Sequence, residues 1–171
     1  MPTTGKVALM NVYDSTLPFP TNTVIKYLRI MEVLPKTTPD HVTPHMGYAQ
    51  EKPGRRVLGT VPVESDGSAY FTLAADTPIF FQALDAKKEA VQSMRSLTYV
   101  KPGETLVCAG CHEKRGRAPA MNVQPVAVQR APSTITPEVE GSSPFSYPRL
   151  VQPVLDAKCV SCHQTPLGGT A

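Results

Sequence analysis

Two five-residue stretches carry the chemistry this sequence can do: CAGCH, with Cys108, Cys111 and His112, and CVSCH, with Cys159, Cys162 and His163. Each sets two thiols three positions apart and a histidine directly after the second. This is the form by which c-type haem is attached covalently. Each thiol adds across one vinyl group of the porphyrin edge, so both sulfurs must lie on the same side of a short turn. The imidazole that follows then reaches the iron as an axial ligand. Two covalently attached haem c groups are therefore expected, with His112 and His163 on the irons. The sixth position of each iron is left open, and its occupant separates electron transfer from catalysis.

Other chemistry must be weighed against this. Four thiolates from two C-x-x-C pairs can close a structural zinc site, and a single C-x-x-C can act as a redox dithiol. The stretch from Cys111 to Cys159 is long for a zinc ribbon, and no βαβ pattern precedes CAGC. Of the four histidines in the chain, two follow these pairs directly, which favours haem over zinc. The other two, His41 and His45, fall in PDHVTPHMGY, as exposed loop residues or as distal haem or metal ligands. Met46 and Met121 are thioether candidates. Met121 follows His112 by too few residues for a ligand loop, which assigns it to packing, as do the strand positions of Met10, Met31 and Met94.

The elements that must position these groups read as β-structure. The chain holds 18 Pro and 11 Gly in 171 residues, which argues against long helices and for strands joined by turns. KVALMNVY (6–13) and TVIKYLRIMEVL (23–34) read as strands around a Pro-broken loop. Strands are expected again at 57–63, 68–73, 78–84 and 90–99. SDG at 65–67 signals a hairpin between the first two of these, with Gly67 supplying positive φ. Turn signals at roughly ten-residue spacing indicate a small antiparallel β-sandwich, giving a mainly β fold. A short helix is expected at 148–159, shortened by Pro153.

The organisation expected from this pass has five parts. Residues 1–34 are N-terminal strands that leave a preceding domain, 35–56 form a Pro-rich loop, and 57–118 form the sandwich ending in the first haem site. Residues 119–146 form a Pro-rich linker, and 147–171 open a cytochrome c-like domain with the second haem site. Covalent haem attachment places the protein in the periplasm or another space outside the cytoplasmic membrane, with a signal peptide expected upstream. The short tail after His163 leads to the expectation of a covering fold further along a longer protein. The net charge of +3 and scattered Lys and Arg offer no face for nucleic acid, and no apolar run is long enough to span a membrane.

The block VPVESDGSAYF…QALD…AVQSMRS, with the strand pair NVYDS…IKYLRIMEV before it and CAGCHE after it, resembles the middle domain of hydrazine synthase alpha subunits and related multihaem proteins of planctomycete-type bacteria. The resemblance covers about residues 6–116, and YPRLVQPVLDAKCVSCH resembles the opening of the cytochrome c domain that follows in that family. It implies a β-propeller before this region and haem groups serving a larger protein. The family pattern also implies a Tyr iron ligand four residues beyond the motif histidine, where this chain has Gly116. Hydrazine chemistry is therefore not carried over, and a His112-ligated haem is. The function expected is haem binding and electron transfer with redox partner proteins or neighbouring domains. The alternatives are a haem-dependent oxidoreductase acting on a small nitrogen or oxygen compound, and a zinc-binding interaction module.

Overall fold

The structure, a computed structural model, describes residues 2–35, 54–112, 116, 124–138 and 147–163. His41, His45, Met46 and Met121 lie outside the described residues. Among the described residues, seven strands form two sheets. In the first, β1 (Thr4–Leu9) lies between β4 (Ala69–Ala74) and β7 (Thr105–Cys108). In the second, the order is β3 (Arg55–Pro62), β2 (Tyr27–Val33), β5 (Ile79–Leu84) and β6 (Ala90–Ser93). All pairings are antiparallel except β1 with β7, which is parallel. The expected mainly β sandwich is the observed fold.

Strand alternation explains the core. Val7 and Leu9 of β1 and Phe71 and Leu73 of β4 are buried together with Leu28 and Ile30 of β2, Val61 of β3, and Ile79 and Ala83 of β5. The Phe71 ring, from the first sheet, meets Phe81, from the second, edge to face at 5.9 Å. This geometry suits the ring quadrupoles and joins the two sheets.

Several expectations are corrected. SDG does form a tight turn: Gly67 has φ 84°, its N–H donates to Glu64 O at 2.9 Å, and Glu64 N–H donates to Ser68 O at 2.8 Å. The flanking strands nevertheless do not form a hairpin, because β3 pairs with β2 and β4 pairs with β1. The turn is a crossover between sheets. β1 and β2, both in the expected N-terminal segment, are interior strands of the two sheets. The strand expected at 90–99 ends at Ser93, although Thr98 still exchanges two backbone hydrogen bonds with Ile79 at 2.8 Å. Met10, Met31 and Met94 are half-buried rather than core residues. The brief strand β7 carries no long apolar period, and the sequence reading omitted it.

The expected linker is also partly structural. Of 119–146, the described residues 124–138 form a strap across both sheets. Thr136 exchanges backbone bonds of 2.8 and 2.9 Å with Thr60, and Ser133 bonds both Tyr70 and Thr72 of β4. Ala127 is fully buried, its N–H donating to Ser68 Oγ at 3.0 Å. Arg29 grips Glu138 through two charge-assisted hydrogen bonds of 2.7 and 2.9 Å. Prolines suit this path, since a strap needs few ladder donors.

The C-terminal described segment is a wide helical turn at Tyr147–Val151, then α1 (Gln152–Lys158) and α2 (Val160–His163). Pro153 falls in the first turn of α1, where its missing N–H costs no helical hydrogen bond. No residue of these three pieces is buried.

Candidate functional site

The first motif is held by its neighbour in the fold, not by its own local structure. β7 pairs with β1 up to Leu9 opposite Cys108, and both chains then leave the sheet side by side. Met10 N–H donates to Cys108 O at 2.9 Å and Asn11 N–H to Ala109 O at 3.2 Å. Cys111 N–H donates to Asp14 O at 3.1 Å, and Thr16 N–H to His112 O at 2.9 Å. Residues 108–112 are thus laced to residues 10–16 by backbone bonds at almost every step. The motif takes a bend rather than the short helical turn expected of it.

The three side chains meet different surroundings. Cys108 and Cys111 are half-buried and pack against the apolar core. Burial pushes the Cys111 thiol above its usual pKa, because a thiolate there would lose hydration. His112 is exposed, and its Nδ1 stands 2.5 Å from Thr16 Oγ1. None of the four cysteines is in a disulfide. Two half-buried thiols on one apolar wall, followed by an exposed imidazole, are a donor set compatible with a porphyrin edge attached along that wall. Among the described residues no three His, Cys, Asp or Glu side chains gather as a metal cluster.

A cleft of about 760 Å³ opens along β6 and the residues that follow it. Leu17, the residue after Thr16, forms one wall, with Phe80, Val91 and Leu97 as further apolar lining and Arg55 and Arg95 as cationic lining. Gln92, also in the lining, donates from Nε2 to Ser15 Oγ at 3.4 Å, which ties the cleft to the segment that holds the motif.

The second motif has the helical form. Cys162 N–H and His163 N–H both donate to Cys159 O, at 3.1 and 3.0 Å, and Cys159 N–H donates to Leu155 O at 2.8 Å. Residues three apart on such a turn share a face, as double thioether attachment requires. Cys159, Cys162 and His163 are all exposed. The structure does not bring the two motifs into one site among the described residues; each stands on its own.

Sequence reasoning missed Asp14, Thr16 and Gly110. The DST of Asp14–Thr16 reads as an ordinary turn cluster, and its partner is 96 positions away. Only a strand reading of TLVC, placed parallel to β1, would have exposed the pairing.

Comparison with known proteins gives a consistent result. The model of the hydrazine synthase alpha subunit middle domain matches residues 23–113, more than half of the chain. Hydrazine synthase subunit alpha of Kuenenia stuttgartiensis is 39% identical over 66 residues, which are 37% of this chain and 8% of that protein. The solved hydrazine synthase of Kuenenia stuttgartiensis covers 98% of this chain with a TM-score of 0.70 at 22% identity, a likeness of fold. This chain in turn spans 31% of that chain. With its matched strands running from the end of the first loop through CAGCH, the chain belongs to the hydrazine synthase alpha subunit middle domain family.

Proposed function

We propose that this chain is a haem c-binding part of a larger periplasmic protein that passes electrons to redox partners or neighbouring subunits. Cys108 and Cys111 would hold the haem through two thioethers, each S–H adding across a vinyl group with no external oxidant or reductant. His112 would supply a ring nitrogen to its iron. Cys159, Cys162 and His163 do the same for a second haem. When bound, the haem supplies one-electron chemistry, and the protein supplies attachment, axial ligation and control of solvent.

The observation that carries this reading is the pre-set backbone of residues 108–112, which turns two thiols onto the apolar wall and leaves His112 outside. Membership of the hydrazine synthase alpha subunit middle domain family supports the same reading. The hydrazine-forming reaction is not proposed for this chain. Gly116 has φ 82°, a backbone conformation that L side chains rarely adopt, and offers no phenol for a family-type Tyr ligand.

The test is periplasmic expression of the chain with a c-type haem maturation system. A pyridine haemochrome spectrum and intact mass should count two covalent haems, falling to one in a Cys108→Ser, Cys111→Ser variant. No covalent haem under conditions that mature a control cytochrome would defeat the reading and return attention to zinc. A high-spin ferric spectrum for the first haem would move the assignment to a small-molecule oxidoreductase.

A further inference from the structure

We propose that Thr16 is the positioning residue of the first site, setting the His112 tautomer so that Nε2 is the free, ligating nitrogen. The inference deepens the haem reading in its consequences for the iron, but its first half concerns the protein alone.

The argument is a proton count. Thr16 Oγ1 lies 3.2 Å from the backbone carbonyl oxygen of His112 and 2.5 Å from Nδ1 of the same residue. A hydroxyl has one proton to donate and lone pairs to accept with. Both contacts are hydrogen bonds at once only when the Thr16 proton goes to the carbonyl, which only accepts. Nδ1 must then carry its own hydrogen and donate it to Oγ1. The neutral imidazole has one N–H, so Nε2 is left as a bare lone pair. The reverse tautomer would put the Thr16 proton on Nδ1 and give up the side-chain bond to the carbonyl.

The backbone keeps this arrangement in register. Thr16 N–H also donates to His112 O at 2.9 Å, and Ser15 pairs with His112 as a parallel bridge. One residue thus holds the carbonyl from two donors and the ring from one acceptor. The backbone N–H of His163, by contrast, bonds within its own helical turn. An acceptor on the non-ligating nitrogen fixes the ring and raises ligand basicity, which favours the ferric state over the ferrous.

The first measurement uses the haem-free chain. Long-range ¹H–¹⁵N correlation of ¹⁵N-histidine-labelled protein, at a pH where the ring is neutral, reads the tautomer directly. His112→Gln assigns the signals. Parent protein and Thr16→Ser should show Nδ1–H at His112, and Thr16→Val should shift it toward Nε2–H while His163 stays unchanged. Nε2–H in the parent, or no shift in Thr16→Val, overturns the proposal.

The second measurement uses haem-loaded protein with Cys159→Ser and Cys162→Ser, so that only the first haem is present. Thr16→Val should raise the reduction potential, by about 59 mV for each tenfold by which ferric binding weakens more than ferrous. Thr16→Ser should restore the parent value. An unchanged potential in Thr16→Val overturns the claim that Thr16 acts on the iron. Failure of the parent to take haem would defeat the haem reading instead and leave the tautomer result standing. Far-ultraviolet circular dichroism and the melting temperature of each variant separate misfolding from either outcome.

Discussion

A side chain at Gly110 would overlap the backbone carbonyl of Asp14, because the two chains touch where the first motif bends. The obstacle is backbone, which cannot rotate away as a flexible side chain can. Gly110→Ala should therefore push residues 10–16 from residues 108–112 and break the Cys111–Asp14 and Thr16–His112 backbone bonds. The expected loss is about 1–3 kcal/mol, the usual range for overpacking. Thermal unfolding checks the loss, and haem content per chain should fall at the first motif while the second is unaffected.

The Cys111 thiol, held by burial above its ordinary pKa of 9.0, links stability to alkaline pH in the haem-free protein. The folded state keeps the proton longer than the unfolded state does. Its contribution is full below the unfolded thiol value and is lost as pH rises through the raised folded one. Iodoacetamide labelling of native protein followed by peptide mass spectrometry should modify exposed Cys159 and Cys162 before Cys111. Cys111→Ala should flatten the fall in stability on the alkaline side.

Asp66 gives the opposite sign. Its slight burial raises the carboxyl pKa, but hydrogen bonds from Ser68 Oγ at 2.6 Å, Val126 N–H at 2.8 Å and Ser68 N–H at 3.0 Å outweigh this and lower it. The charged form is thus favoured by folding. The stability it contributes is present above the ordinary value of 3.8 and is lost as pH falls through the lowered folded value. Asp66→Asn should weaken this acid-side loss in urea unfolding at a series of pH values. Hydrogen exchange at Val126 should speed up, since that bond anchors the strap.

Arg29 and Glu138 tie the far end of the strap to the middle of the second sheet. Both side chains are only about one-fifth exposed, at 20% and 18%, so the pair is worth more than a surface ion pair. A double-mutant cycle with Arg29→Met and Glu138→Gln should give a coupling energy of about 0.5–3 kcal/mol. Arg29→Met alone should speed amide exchange at Thr136, whose N–H is paired with Thr60 O.

Phe71 tests the sandwich itself. It is fully buried and meets Phe81 across the two sheets. Phe71→Ala should cost about 3–5 kcal/mol by cavity formation, read as a lower denaturation midpoint with little change in slope.

Taken alone, the sequence determined the class of the fold and the identity of the reactive groups. Alternating apolar residues such as Val7 with Leu9 and Phe71 with Leu73 declare strands, because a pleated strand turns successive side chains to opposite faces. The thiols and imidazoles of both motifs are legible for a similar reason: their spacing is local, and local geometry is written in consecutive residues. The sheet a strand joins is not local. SDG specifies a turn, yet whether that turn closes a hairpin or crosses between sheets depends on what β1 and β2 offer as partners. The strap was unreadable because its hydrogen bonds go to residues 59–109 positions away, and prolines hide the extended path that makes them. Thr16 was silent for the same reason, since a hydroxyl acquires its role only when folding sets it beside His112. Which groups could act was a property of residue type and spacing. Only the parallel pairing of β1 with β7, which is tertiary, decided how the first of them is held.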